Sequence, residues 1–356
     1  MRKASVVFLL CFISVISIAQ KKVLFEKYTN AFCGICPDAT IQLKNMVLEN
    51  PDVIWISHQK PIGFMEHPLT NPSSDAIWDE LGINGVPTGM IDRTVYSGDI
   101  TMGRSAWESR TQDHLTNPNT FDIGISEIEY EPISRELEFQ VDVEALVSGL
   151  TGPFRVTAYI VEDSIIAPQS SYWNDEPGHP LEGLGDLIEN YVHRNLVRDM
   201  LEDHWGVSNV VPDMPELGTT YTHTFQYTVR EEINPVNVHL VTMVSEFDEQ
   251  NNYPGVVHNV TRVKLKELGI KLTSAKDVLP LEFSIGPNPT SDFIDLQFES
   301  IPDQIVITDI SGSIKTRLSP NGLNTRIDLD GYHTGIYFIL VEKEGKEGIQ
   351  RFSVNE

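Results

Sequence analysis

A single C-x-x-C-P motif at residues 33–37 contains both cysteines found beyond the first 20 residues, and it restricts the local fold strongly. The apolar residues 23–25 predict a short strand before the motif, and apolar spacing over residues 37–48 predicts a helix after it. Three residues span about one helical turn, so the sulfurs of Cys33 and Cys36 lie within disulfide reach. The helix N-terminus favours a thiolate, which makes Cys33 the expected attacking thiol and Cys36 the resolving one.

A second interpretation of this cysteine pair stays open. In an oxidising compartment the pair can be a purely structural disulfide. A zinc site is not expected, because zinc needs about four ligands and the chain has no second cysteine pair. The histidines are scattered without metal-ligand spacing, so no metal and no other cofactor is predicted.

The motif lies in a predicted α/β unit over residues 20–118. Residues 53–56 form a continuous apolar run of the kind found in strands buried on both faces. Ser73 can cap a second helix, and residues 105–115 can close the unit with a third. Residues 85–88, with the sequence Gly-Val-Pro-Thr, predict a turn that leads into another strand.

This order of elements resembles the thioredoxin fold, in which a C-x-x-C pair at a helix start faces an X-Pro bond. The resemblance implies that the peptide bond between Val86 and Pro87 is cis. It also implies that Cys33, Cys36 and Pro87 occupy the redox positions. Glu26, offset by one position, is expected to match the buried acidic residue that accepts a proton from the resolving cysteine.

Residues 119–265 are predicted to form a β-sandwich. Alternating apolar and polar residues between turn signals indicate its strands. These strands are expected at residues 123–130, 136–143, 154–161, 221–229, 236–246 and 256–265. An insert at residues 164–215 interrupts the sandwich, and residues 184–201 within it have a helical pattern. Residues 266–282 are predicted to be a linker.

The last predicted unit, residues 283–356, contains repeated strand and turn signals. Pro287-Asn288-Pro289, a Ser-Gly turn at residues 311–312, Gly335-Ile336-Tyr337 and residues 351–354 follow one another along it. This string resembles the type A sorting domain of the type IX secretion system. The resemblance implies a small β-sandwich that the type IX machinery recognises at the outer membrane. An ordinary C-terminal β-module is the alternative.

The segment from residue 23 to Pro37 also resembles the outer-membrane-protein-28-related family, whose members join a thioredoxin-like front to a β-rich region. Lys27 replaces a commonly acidic position, and Asn30 replaces the usual glycine. The dipeptide Gly34-Ile35 differs from the Gly-Pro of thioredoxins. The biochemical role of the family is poorly defined, so the resemblance implies no substrate.

The N-terminus has the pattern of a secretion signal at residues 1–19. Arg2 and Lys3 precede an apolar run that ends in small residues, which predicts cleavage before Gln20. The run is too short for a transmembrane anchor, which needs about 20 apolar residues. A lipoprotein signal around Cys11 is less favoured, because no small residues precede that cysteine. No other segment is predicted to span a membrane.

The formal net charge is −25, and losing Arg2 and Lys3 with the signal changes it to −27. A chain with this negative charge repels nucleic acid and anionic membrane surfaces. Neither is therefore an expected partner. No hydrolase motif or phosphate-binding loop is present in the sequence.

The sequence therefore predicts a multi-domain protein with α/β and all-β parts. These are a thioredoxin-like domain, a β-sandwich with a helical insert, and a sorting β-sandwich. The first hypothesis is an exported surface or secreted protein that exchanges disulfides with a thiol-containing protein substrate. The second is a non-catalytic surface binding or adhesion protein in which Cys33–Cys36 is a structural disulfide.

Overall fold

The computed structural model of the chain describes residues 21–60, 69–251, 253–265, 283–309, 314–343 and 346–355. The predicted signal at residues 1–19 and the predicted linker at residues 266–282 lie outside the described residues. Within the described ranges, no helix combines the length and the apolar character that crossing a bilayer requires.

The front of the chain alternates strands and helices in the predicted order. The elements are β1 (Val23–Thr29), α1 (Cys36–Glu49), β2 (Val53–Gln59), α2 (Pro72–Glu80), β3 (Thr88–Ile91) and α3 (Trp107–Leu115). Helix α2 begins earlier than expected, because Asn71 rather than Ser73 is its cap. The Asn71 side chain accepts a hydrogen bond of 2.8 Å from the backbone N–H of Ser74. Pro72 suits the first turn, where an N–H has no helical partner.

The middle of the chain is almost entirely β-structure. Its strands are β4 (Phe121–Tyr130), β5 (Glu136–Ala145), β6 (Phe154–Glu162), β7 (Ile165–Ser170), β8 (Leu187–His193), β9 (Leu196–Met200), β10 (Val207–Ser208), β11 (Thr220–Thr228), β12 (Val238–Asp248) and β13 (Tyr253–Lys264). The expectation of a β-rich chain with several sheets is confirmed.

One large sheet joins the front and the middle of the chain. Its strand order is β13-β12-β6-β9-β2-β1-β3, with β10 paired to β6. Strand β1 runs parallel to β2 and antiparallel to β3. Strand β9 contacts β2 through Ser57 and Leu196, and it pairs with β6 on its other side. The hydrogen-bonded sheet therefore extends across residue 118, where the sequence predicts a boundary.

A smaller sheet, in the order β11-β5-β4, packs against the β6 and β12 end of the large sheet. Alternation along β5 explains the packing, since Leu137, Phe139 and Val141 are buried while Glu136 and Glu138 face solvent. Phe154 and Leu240 of the large sheet belong to the same apolar core. The two sheets thus enclose one core in the manner of a sandwich.

The predicted helix at residues 184–201 is wrong, because this stretch forms β8 and β9. Asn195 separates the two strands with a φ of 50°, a left-handed conformation that asparagine tolerates better than most residues. Strand β8 pairs with β7, and the buried residues Leu196 and Val197 place β9 between β6 and β2. Pairing with distant strands overrides the helical spacing of the apolar residues.

The C-terminal segment forms two small sheets. Its strands are β14 (Phe283–Gly286), β15 (Phe293–Phe298), β16 (Gln304–Asp309), β17 (Ile314–Leu318), β18 (Asn324–Asp328), β19 (Gly335–Lys343) and β20 (Lys346–Val354). The sheets have the orders β14-β15-β18 and β17-β16-β19-β20. Ile294, Ile307 and Ile339 lie in the core that they share. The predicted Ser-Gly turn at residues 311–312 lies outside the described residues.

Candidate functional site

The loop between β1 and α1 positions the two cysteines, which form a disulfide with a Cα–Cα distance of 5.4 Å. Asn30 organises this loop: its backbone oxygen accepts a hydrogen bond from the Cys33 N–H, and its side-chain oxygen accepts one from the Phe32 N–H. Asparagine at this position, a departure from the family pattern, thus has a clear structural role. Cys33 is partly exposed, whereas Cys36 is fully buried.

The pair lies at the N-terminus of α1. Cys36 is the first helical residue, Pro37 occupies the first turn, and no side chain caps the helix. The first turn of a helix presents unpaired N–H groups and a partial positive charge. The arrangement therefore favours negative charge on a sulfur at this end of the helix.

Asp38 in the same turn is neutralised by two partners. Arg104 forms an ion pair with one carboxylate oxygen, and the Nε2 atom of His179 lies 3.0 Å from the other. Partial burial alone would raise the pKa of Asp38, but the hydrogen bonds from Arg104 and His179 lower it below its usual value. The negative charge of Asp38 is thereby offset close to the cysteines.

The predicted cis geometry of the Val86–Pro87 bond is confirmed. The backbone oxygen of Val86 lies 3.9 Å from the Cys33 sulfur, and Thr88 immediately afterwards begins β3. The structure therefore places the Val86–Pro87 bond next to Cys33, which is disulfide-bonded to Cys36.

Glu26 is fully buried, but its polar contacts lie elsewhere. Its two carboxylate oxygens accept hydrogen bonds of 3.0 Å from the Nε and Nη2 atoms of Arg93, and His58 Nε2 lies 3.4 Å away. Burial alone would raise the pKa of Glu26, but the charge of Arg93 and the hydrogen bond with His58 bring it down to about 2. Glu26 shares its face of β1 with Tyr28, opposite the face on which α1 packs. Among the described contacts, Glu26 thus has none with the cysteines.

The neighbouring residue, Lys27, faces α1 instead. Its buried ammonium group donates a hydrogen bond to the Thr40 hydroxyl, and that hydroxyl donates to the Cys36 backbone oxygen at 3.1 Å. Burial, with the nearby charge of Arg104, lowers the pKa of Lys27 to about 7. A cavity of about 10 Å³ beside Lys27 and Thr40 is also lined by Tyr191 from the insert. The sequence showed Lys27 only as a departure from the family pattern. A lysine at a commonly acidic position was the signal that could have placed this residue in the site.

The insert covers the cysteine loop, which the sequence analysis did not foresee. Backbone N–H groups of Ser170 and Tyr172 donate to the oxygens of Ala31 and Gly34, at 2.8 and 3.0 Å. The side-chain amide of Gln169 donates to the Cys33 backbone oxygen at 3.1 Å. These bonds fix the loop and add insert residues to the site.

Across the part of the chain that the structure describes, no group of three or more His, Cys, Asp or Glu side chains is arranged to hold a metal ion.

Two protein families match parts of this chain. Residues 284–355 match the secretion system C-terminal sorting domain, so the chain is a β-rich cargo of type IX secretion. Residues 74–268, more than half of the chain, match the outer membrane protein Omp28 model, and the chain belongs to this family. The predicted resemblances to the sorting domain and to the outer-membrane-protein-28-related family are confirmed. The chain is exported to the cell surface or secreted, and its tail interacts with the type IX machinery.

Two solved structures from Porphyromonas gingivalis are similar to this chain. HBP35 superposes with a TM-score of 0.59 at 14% identity, over 94% of this chain and 99% of that chain, which shows a shared fold. A domain of the outer membrane lipoprotein Omp28 has a TM-score of 0.24 at 16% identity, over 42% of this chain and 89% of that chain. A search of the curated proteins gave no match. The Omp28 family match begins at residue 74 and so does not include the cysteines.

Proposed function

We propose that the chain is an exported thiol–disulfide exchange protein whose front unit, residues 20–118, is thioredoxin-like. The observation that carries this proposal is the asymmetry between a partly exposed Cys33 and a fully buried Cys36. Exchange needs one sulfur that a partner can reach and a second that reacts only with the first. The exposure of Cys33 and the burial of Cys36 match this requirement.

The proposed reaction is an exchange between the Cys33–Cys36 disulfide and a polypeptide dithiol. A substrate thiolate attacks the Cys33 sulfur, forms a mixed disulfide, and Cys36 leaves as a thiolate. The second substrate thiolate then attacks the substrate sulfur of the mixed disulfide and releases Cys33. The substrate gains a disulfide, and the cysteine pair gains two electrons and, on protonation, two protons. The reverse sequence reduces a substrate disulfide.

The surroundings of the pair support this chemistry. The uncapped helix N-terminus favours thiolate forms of the cysteines. The Val86 oxygen, beside the cis Val86–Pro87 bond, forms the wall of the site that faces Cys33. We assign no proton transfer to Glu26, because Arg93 keeps it ionised on the other face of β1.

A non-catalytic surface binding protein with a structural disulfide is the second candidate. The observation that favours it is the set of hydrogen bonds from Gln169, Ser170 and Tyr172, which hold the cysteine loop in one conformation. A rigid loop of this kind suits a disulfide that only stabilises the fold. The two candidates differ in the reactivity of Cys33.

Trapping of the mixed disulfide tests the proposed exchange. In Cys36→Ser, a reactive Cys33 is expected to form a stable mixed disulfide with a cystine-containing peptide, detected by mass spectrometry without reductant. Cys33→Ser is the matched control, and its buried Cys36 is expected to form none. If neither variant forms the adduct and the native disulfide has a potential below about −300 mV, the pair is structural.

The proposed organisation keeps a thioredoxin-like unit at residues 20–118 and a β-region at residues 119–265, followed by a linker and the sorting domain at 283–356. The shared sheet makes the first two units cooperate in stability, because β9 of the insert pairs with β2 of the front.

A further inference from the structure

Large apolar side chains surround the partly exposed Cys33. Phe32 is 42% exposed and Ile35 is 38% exposed, and each is the neighbour of a cysteine. Tyr172 of the insert, 75% exposed, lies against Gly34 between the two cysteines. Several large apolar side chains exposed around one disulfide are typical of a surface that binds a partner.

Tyr172 is fixed in this position by backbone and packing contacts. Its N–H donates to the Gly34 oxygen, and its ring is so close to Gly34 that a Cβ atom there would lie 2.3 Å from a ring carbon. The next part of the insert is anchored as well, because Trp173 stacks on His179 and His179 contacts Asp38. The tyrosine ring is therefore a preformed wall next to the disulfide.

The insert around Tyr172 is strongly acidic. Between residues 171 and 189 the sequence contains five carboxylates and no lysine or arginine, and all five carboxylate side chains are exposed. They are Asp175, Glu176, Glu182, Asp186 and Glu189. Their field attracts cationic molecules and repels anionic ones at moderate ionic strength.

Resting on the proposed exchange activity, we propose that Tyr172 is a specificity-determining residue that selects polypeptides with an apolar side chain beside the reacting cysteine. The ring of Tyr172, with Phe32 and Ile35, receives that apolar side chain. The acidic insert favours basic residues in the same polypeptide. The substrate class is thus a basic, apolar polypeptide thiol, rather than a small anionic thiol such as glutathione.

Rates of exchange with two probes test this assignment on the full mature chain. The first probe is a peptide dithiol with aromatic and lysine residues next to its cysteines, and the second is dithiothreitol. Tyr172→Ala is expected to react roughly tenfold more slowly with the peptide, a loss typical of an apolar contact. Its rate with dithiothreitol is expected to stay within about twofold of the native rate.

Two further variants serve as controls for the tyrosine. Tyr172→Phe keeps the ring and is expected to retain the native rate with the peptide. Leu217→Ala removes an apolar side chain that is 61% exposed, from the middle of the chain, and is expected to change neither rate. Equal peptide rates in Tyr172→Ala and the native chain, at matched melting temperatures, would overturn the specificity role. A native chain that reacts with neither probe would instead refute the proposed exchange activity.

A second comparison tests the basic character of the substrate. Asp175→Asn, Glu176→Gln and Asp186→Asn, combined in one chain, are expected to lower the rate with the lysine-containing peptide and to weaken its dependence on salt. The control combines Glu129→Gln, Glu136→Gln and Glu231→Gln, three exposed carboxylates outside the insert, and is expected to keep the native rate. Equal rates in the two triple variants would overturn the preference for basic polypeptides.

Discussion

The two faces of β1 bury neighbouring residues of opposite charge and compensate them very differently. On one face, Glu26 is paired with Arg93 through two hydrogen bonds, and Arg93 also donates to Tyr159 of β6 at 2.7 Å. On the other face, Lys27 has a neutral hydroxyl, that of Thr40, as the acceptor of its described hydrogen bond. One buried charge is matched by an opposite charge, and the other is not.

The difference separates a compensated ion pair from a buried charge that has a neutral partner. The Glu26–Arg93 pair ties the front strands to β6, and the aromatic ring of Trp205 lies 5.1 Å from the Arg93 guanidinium. An ion pair satisfied in this way stays ionised across the usual pH range. Lys27 lies under the helix that carries Cys36, and burial shifts its pKa to about 7. Strong perturbation of a titratable group is more frequent at functional sites.

Breaking the compensated pair is expected to have the largest effect. Glu26→Gln leaves the Arg93 charge buried without its carboxylate, so the free energy of unfolding should fall by about 3–5 kcal/mol. Urea unfolding at neutral pH measures the loss. Asp295→Asn, which breaks the exposed pair with Arg326, is the matched control and should change stability far less. A loss in Glu26→Gln as small as that of the control would mean that the pair contributes little.

Removing the uncompensated charge is expected to act in the opposite direction and to depend on pH. The folded pKa of Lys27, about 7, lies below the ordinary value of 10.5. Between these values the unfolded chain binds a proton that the folded chain does not, so native stability rises with pH by up to about 1.4 kcal/mol per unit. Below pH 7 both states are protonated and the cost of the buried charge is fully present.

Lys27→Met should therefore be more stable than the native chain, with the largest difference below pH 7 and a shrinking difference towards pH 10. Unfolding of both proteins across this range measures the effect. Lys44→Met changes an exposed lysine on α1 and should follow the native pH dependence. A constant difference between Lys27→Met and the native chain would contradict the assigned titration of Lys27.

A smaller effect is expected where the insert meets the cysteine loop. Gly34→Ala forces the Tyr172 ring to move, which should cost about 1 kcal/mol because the exposed ring can partly relax. Gly85→Ala has open space around its new methyl group and is the control. Adding Tyr172→Ala to Gly34→Ala should recover the loss, a coupling that a double-mutant cycle measures. Additive effects of the two substitutions would show that the ring does not restrict Gly34.

Local patterns predicted the parts of the site that are close in sequence. The strand, the C-x-x-C-P motif and the helix over residues 37–48 are contiguous, and the resemblance to the thioredoxin fold implied the cis Val86–Pro87 bond. The sequence also predicted a buried acid on β1, but the period of two in a strand sends Glu26 and Lys27 to opposite faces. Only the packing of α1 shows that Lys27, and not Glu26, lies on the side of β1 that this helix covers.

The parts that were missed depend on distant pairing. Strand β9 joins the large sheet between β2 and β6, far from either in sequence, so its helical spacing was misleading. The contact of Tyr172 with Gly34 depends on the same insert fold. No local signal in the insert indicates that it covers the cysteine loop.

The most direct test of the central claim is the rate of alkylation of the reduced chain by iodoacetamide as a function of pH. An exchanging Cys33 at an uncapped helix N-terminus should titrate well below the value of an ordinary thiol, about 8.5, within the range of about 3.5–7.5. The same measurement on Cys33→Ser gives the alkylation rate of Cys36 alone, which is subtracted. A Cys33 that titrates near 8.5, or a disulfide that resists reduction, would contradict the assignment of Cys33 and Cys36 as an exchanging pair.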